Sequence, residues 1–231
     1  MELPPDGGAT VARTRVARTA RAAVVSSVVC LVVLALLGVG VRSEFRPQLR
    51  LDAAVSEALY AGDDRATALD ALLEVLTAPG SSWLRFLVFL PVLISLLVRQ
   101  LWWTAGWVVT AVVLVTPLTT ALKEYFGRIR PAFEEGGARY ESLSYPSGHA
   151  SGIATLVTVA LVLAWPLLGP RARHRALAVG IALVVLVGLT RMWLGVHYLS
   201  DVIGGWALGL AWTLVTALLF GALSGGRAAL R

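Results

Sequence analysis

Six stretches of the chain are almost unbroken in apolar residues: 22–41, 83–98, 102–122, 150–168, 176–190 and 202–223. A helix needs about 20 predominantly apolar residues to cross the hydrocarbon core of a bilayer, with a range of about 17–25. Inside that core every backbone polar group must be satisfied within its own segment, which leaves the helix as the natural solution for runs of this length. The pattern therefore predicts an all-α membrane protein, a bundle of six transmembrane helices joined mostly by short loops. Residues 83–98 form the shortest run and contain Pro91, tolerable where neighbouring helices or waters satisfy the freed carbonyl. Trp102 and Trp103 open the third run, where aromatic rings anchor at the membrane–water boundary.

Three polar regions frame these runs. Residues 1–21 carry Arg13, Arg15, Arg18 and Arg21 behind a Pro-Pro-Asp-Gly-Gly opening, and are expected to be a disordered cytoplasmic N-terminus. The following run exceeds the apolar core of a secretory signal, so it reads as an uncleaved first span. Residues 42–82 form the one sizeable polar insertion within the domain 22–223. In it Leu51, Val55, Ala58 and Leu59, and then Leu69, Leu72, Leu73 and Leu76, recur at helical spacing. Gly62-Asp63-Asp64 divides them, which predicts two short amphipathic extracytoplasmic helices with Asp63 or Asp64 as an N-cap. They lie either in the membrane interface or as a hairpin over the site entrance. Residues 224–231 are a short cytoplasmic tail.

Composition agrees with this picture. Hydrophobic residues make up 57% of the chain, charged residues 15%, and the mean hydropathy is +0.75, against about 45–50% apolar and about 25% charged in soluble domains. The formal net charge of +6 does not indicate nucleic acid, because the arginines flank spans and no basic stripe interleaves with aromatics. The single cysteine, Cys30, lies mid-run in the first span, can form no intrachain disulfide and reads as a small buried hydrophobe. Unpaired basic clusters at 13–21, Arg99, 171–175 and 227–231 fall on one side of six crossings. Those on the other side stand beside acids or belong to the signature described next. The positive-inside rule then places both termini in the cytoplasm. With six crossings the loops after the third and fifth spans emerge together, on the opposite, extracytoplasmic face.

Those two loops carry the chemistry. Lys123 is followed after six residues by Arg130-Pro131; next comes Tyr145-Pro146-Ser147-Gly148-His149; last is Arg191, then His197, then Asp201. Singly, each has a plainer reading. Lys123 and Arg191 could be cations snorkelling at span ends, as Arg128 and Arg139 are expected to be. His149 could cap a helix, and His197 with Asp201 could be a structural pair or a proton relay. Together they offer three fixed cations, two imidazoles and one carboxylate. Such a set can hold an oxyanion and move protons around it. Arginine contributes a planar fork and lysine a compact charge. Ser147 is a natural N-cap, and Gly148 lets an anion approach the unpaired N–H groups of the helix start. His197 and Asp201, four apart, share a helical face, so the carboxylate can hold one ring nitrogen and leave the other free as a nucleophile.

The three segments Lys123-x6-Arg130-Pro131, Pro146-Ser147-Gly148-His149 and Arg191-x5-His197-x3-Asp201 resemble the motifs of the type 2 phosphatidic acid phosphatase superfamily, which also includes soluble acid phosphatases and vanadium haloperoxidases. The resemblance covers about 80 residues with their flanking spans; Thr190 departs from it, standing where the family often has Ser or Gly. It implies a membrane lipid phosphatase. His197 would form a phosphohistidine, Asp201 would orient it, and His149 would protonate the leaving oxygen. Lys123, Arg130, Ser147, Gly148 and Arg191 would bind the phosphoryl oxygens. No metal or other cofactor is implied, and the site loops have no carboxylate cluster suited to Mg²⁺. The expected partners are the bilayer and a lipid phosphate: polyprenyl pyrophosphate, slightly favoured, phosphatidylglycerophosphate or phosphatidate. The expected location is the plasma membrane. The alternatives are a phosphotransferase using the same intermediate and a non-catalytic transporter or scaffold.

Overall fold

The structure, a computed structural model, describes residues 7–62, 64–133, 142–223 and 226–230. Its long elements are helices α1 (Gly7–Arg42), α2 (Arg46–Leu59), α3 (Thr67–Thr77), α4 (Ser82–Val98), α5 (Trp102–Phe126), α6 (Gly148–Ala164), α7 (Pro170–Trp193) and α8 (Leu199–Phe220). Single 3₁₀ turns follow α3 and α6. Five helices are long and apolar enough to span a membrane: α1 from Val16, α5, α6 with its 3₁₀ turn, α7 and α8. The sixth candidate is not α4 alone. It is Thr67–Gly80 together with Ser82–Val98, bent by 49°.

Several expectations change here. Helix begins at Gly7, where disorder was expected up to residue 21; alanine and arginine are strong helix formers, and the apolar span behind them serves as a nucleus. Residues 1–6 lie outside the described residues. In α2 Asp52 and Ser56 are the buried residues, with Val55 and Leu59 of the predicted stripe packed beside them, while Leu51 is largely exposed. In α3 Leu73 and Thr77 are buried while Leu69 and Leu72 face outward. The N-cap of α3 is Ala66 with no side-chain cap, so Asp64 does not serve; Asp63 and Arg139 lie outside the described residues. Cys30 is half-buried against the cluster of Leu34, Val41, Tyr145, Ala207 and Leu208.

Helix α8 is the centre of the bundle and packs on α6, α1 and α5. Small residues let α8 meet α6 backbone to backbone, the device helices use where lipid tails are as apolar as any side chain. A Cβ added at Gly205 would stand 2.5 Å from the Ser147 carbonyl and 2.7 Å from the Ala150 Cβ. That contact sets the start of α6 directly against the first turns of α8. The Ser147 N–H donates to the Asp201 carbonyl at 2.9 Å. Deeper in the bundle Trp107, Ala111, Val112, Val159 and Ala217 form a second apolar cluster. Residues 226–230 fold back on the start of α5, with Thr104 Oγ1 donating to the Ala228 carbonyl at 2.8 Å.

Candidate active site

Each motif residue owes its position to a helix end. Lys123 lies in the last turn of α5, and Arg191 in the last turn of α7. Ser147 caps α6, its Oγ accepting the Ala150 N–H at 3.4 Å, so Gly148 and His149 form the first turn. His197 occupies the tight link before α8, and Asp201 sits in the first turn of α8. All eight predicted residues converge at one end of the bundle.

The His197 ring is held at both nitrogens. Nδ1 lies 3.4 Å from Asp201 Oδ2 and 3.3 Å from Ser144 Oγ, whose hydroxyl donates in turn to Asp201 Oδ2. Nε2 points the other way and lies 3.2 Å from Arg130 Nη1. Arg130 is fixed by the carbonyls of Ser142 and Val196, at 2.7 and 2.6 Å, and by Ser142 Oγ at 3.0 Å. With Nδ1–H directed at the carboxylate side, Nε2 is left with its lone pair facing a guanidinium. This is the arrangement a nitrogen nucleophile requires.

Asp201 is fully buried and carries more than His197. Its Oδ2 also accepts the Tyr198 N–H at 2.9 Å, tying down the start of α8. Its Oδ1 takes Arg128 Nη1 at 2.7 Å. Arg128 Nη2 pairs with Asp52 Oδ2 at 2.6 Å, and Ser200 joins both, receiving Arg128 Nη1 at 2.7 Å and donating to Asp52 Oδ2 at 2.6 Å. The Arg128 guanidinium also lies over the Tyr198 ring, 4.1 Å from its centre. Arg128 was expected to be a solvated charge; instead it is buried between two carboxylates. Burial by itself would lower its pKa, but Asp201 and Asp52 outweigh burial and raise it. Two signals pointed this way in the sequence: the acid Asp52 on the packed face of an amphipathic helix, and a second arginine two residues before Arg130. Neither identifies its partner without the fold. Ser144 and Ser142 carried no signal at all.

Lys123, Gly148 and His149 line one cavity of about 490 Å³ that runs between α4, α5 and α6. Lys123 Nζ donates to the Leu143 carbonyl at 2.6 Å. Arg191 is buried, with Nη1 3.3 Å from Thr77 Oγ1 at the end of α3. The charges of Lys123, Arg130 and Arg191 all reach His149, and those of Arg130 and Arg191 reach His197. The two histidines therefore share one electrostatic environment at the same end of the bundle. Thr190, the departure from the family pattern, turns its hydroxyl to the Val187 carbonyl of its own helix at 2.7 Å and takes no part.

Burial pushes the His197 pKa down to about 3, the hydrogen bond and charge of Asp201 acting in the opposite direction and losing. The ring is thus neutral in the folded protein through the physiological range. An unfolded chain would titrate near about 6.5. Its contribution to stability is therefore complete above that pH and is lost as pH falls from there toward 3. Nitrogen NMR of the imidazole in detergent-solubilised protein is expected to show His197 neutral at pH 5. A midpoint near 6.5 would contradict the burial described.

Comparisons with known proteins bear on the fold and the family. Phosphatidylglycerophosphatase B of Bacillus subtilis is 38% identical over 96 residues, spanning 40% of this chain and 46% of that protein. Lipid A 1-phosphatase of Rhizobium etli is 35% identical over 129 residues, 51% of each. The chain thus spans about half the length of the curated relatives it matches. Among solved structures, the transmembrane PAP2-type phosphatidylglycerolphosphate phosphatase of Bacillus subtilis superposes with a TM-score of 0.69 at 24% identity, over 87% of this chain and 98% of that one. Aquifex aeolicus LpxE superposes with a TM-score of 0.52 at 23% identity, over 73% and 93%. At these identities the superpositions speak for the fold. The sequence profile of the PAP2 superfamily matches residues 86–224, more than half the chain and all three motif segments. The chain belongs to the PAP2 superfamily.

Proposed function

We propose that this protein is a multi-pass membrane phosphatase that hydrolyses the phosphomonoester or pyrophosphate of a lipid through a phosphohistidine. The observation that carries the proposal is the orientation of His197, with Nδ1 toward Asp201 and Ser144, and Nε2 toward Arg130. In the first step His197 Nε2 attacks phosphorus, forming the N–P bond as the P–O bond to the lipid breaks. His149 gives its proton to the departing oxygen. In the second step His149 takes a proton from water, the water oxygen attacks phosphorus and the N–P bond breaks. Inorganic phosphate leaves and His197 returns to neutral. Asp201 holds the ring and balances its positive charge while phosphorus is attached.

The phosphoryl oxygens in flight are met by Lys123, Arg130 and Arg191, together with the N–H groups at the Ser147–Gly148 start of α6. Counting α3 and α4 together as the second of six spans, the unpaired basic clusters on one side support cytoplasmic termini and a site at the extracytoplasmic face of the plasma membrane. The names of the curated relatives, a phosphatidylglycerophosphatase and a lipid A 1-phosphatase, support a lipid phosphate as substrate. Purified protein in detergent with EDTA is expected to release phosphate from phosphatidate, phosphatidylglycerophosphate or polyprenyl pyrophosphate. Release from none of the three would overturn the proposal.

A further inference from the structure

The cavity that holds Lys123 and His149 has a second cation at its far end. Arg85, in the first turn of α4, is only 2% exposed. Its Nε donates to the Val112 carbonyl at 3.2 Å, and its Nη2 to Thr116 Oγ1 at 2.8 Å and Ser82 Oγ at 3.5 Å. Among the described residues no carboxylate pairs with it. Nη1 lies beside Gly152, where an added Cβ would collide with it and with the Gly80 carbonyl. The surrounding wall is hydroxyl-rich, with Ser82, Thr116, Thr119 and Ser151 all lining the same cavity. Glu124 lines it too, but is exposed and adjacent in sequence to Lys123.

A charge buried at membrane depth is costly unless something compensates it, and unpaired intramembrane cations mark binding paths. Backbone geometry gives its depth. Thr116 precedes Lys123 by seven residues on α5, a rise of about 10 Å. Gly152 follows His149 by three residues on α6, a rise of about 5 Å. Arg85 thus sits tailward of the reacting level. Directly beyond it, α4 and α5 continue as a groove of about 380 Å³ lined by Trp83, Phe86, Leu90, Leu93, Val109 and Val113, all apolar. Cation ring, hydroxyl-lined throat with one arginine, apolar groove: that order matches a lipid with a second anionic group between its terminal phosphate and its tail.

We infer that Arg85 binds a second phosphate of the substrate, the one that stays on the lipid when the terminal phosphate is transferred to His197. This rests on the lipid-phosphatase reading and narrows it to lipids carrying two phosphates, linked either directly or through a glycerol bridge. At Gly152 a Cβ would collide first with the Gly80 carbonyl and then with the guanidinium, so both need the space beside α6.

The test compares wild type with Arg85→Gln and Arg85→Lys on phosphatidate, which has one phosphate, and on phosphatidylglycerophosphate and polyprenyl pyrophosphate, which have two. A charge-assisted hydrogen bond corresponds to about a 10- to 100-fold effect. The loss of kcat/KM in Arg85→Gln is expected to be larger by that factor on a two-phosphate lipid than on phosphatidate. The difference should lie mainly in KM, with partial recovery in Arg85→Lys. Whichever two-phosphate lipid loses more identifies the linkage. Equal losses on all three lipids would make Arg85 a structural residue and overturn the inference alone. Should Arg85→Gln not fold, wild type decides: kcat/KM on a two-phosphate lipid is expected to exceed that on phosphatidate at least about tenfold, and equality overturns the inference. If wild type releases phosphate from none of the lipids, the lipid-phosphatase reading itself fails.

Discussion

Replacing His197 with glutamine is expected to lower kcat for phosphate release by about 10⁴- to 10⁶-fold, the range seen when a nucleophile is removed from a preorganised site. Glutamine keeps a polar side chain of similar reach, so the buried Ser144 and Asp201 and the half-buried Arg130 keep a partner. The companion measurement is chemical. Wild type mixed with lipid carrying a labelled terminal phosphate should trap label on the protein, stable in base and lost in acid, as expected of a phosphohistidine. His197→Gln should trap none. A variant retaining activity within tenfold of wild type would show that the ring only lines the site. The structural reason for expecting so large an effect is that no other neutral imidazole stands between a carboxylate and a guanidinium here. His149 instead faces the cavity from the start of α6, surrounded by positive charge.

Arg128→Met is expected to be the most destabilising single change at the site. It would leave Asp52 and Asp201, 2% and 0% exposed, without the cation between them. Removing one partner of a buried ion pair costs about 3–5 kcal/mol, because the charge left behind can neither hydrate nor pair. A solvated surface arginine would move stability by no more than about 0.5 kcal/mol. Unfolding in detergent, followed by tryptophan fluorescence, separates these two values directly. Adding Asp52→Leu to Arg128→Met removes one of the orphaned carboxylates and should recover part of the stability. Activity should stay low, since Asp201 still lacks the donor that holds its Oδ1. A single variant within 1 kcal/mol of wild type would mean that the Arg128 network contributes little.

How much of this could be read from the chain differs residue by residue. Five candidate spans were legible because solvation by lipid acts on every residue of a run, so composition over about twenty positions suffices; the bent pairing of α3 with α4 was not. The motif residues were legible because their spacing is tied to helix ends: His197 and Asp201 share a face at a four-residue interval wherever a helix begins beside them. The insertion was only half legible. Two short helices were predicted and observed, yet on the face of α2 that packs, Asp52 and Ser56 are buried beside Val55 and Leu59 while Leu51 is exposed. An amphipathic pattern shows which side is apolar, but in a membrane protein the apolar side can turn outward to lipid. The expected disorder before residue 22 failed for a related reason. Polar residues at the end of a span can continue its helix, because propagation is cheap once a nucleus exists.

What the amino-acid sequence determined by itself is the solvent, the apolar runs and the inventory of charges, all additive properties of short windows. What only the tertiary structure decided is pairing. Arg128 joins Asp52 to Asp201 across 76 and 73 residues, Ser144 slips between His197 and its carboxylate, and Arg85 reaches the floor of the cavity that Lys123 and His149 open. Those contacts depend on how closely α8 can lie against α6 and on which side of α2 turns inward. Both follow from long-range packing of small residues and buried charge, which no local window contains.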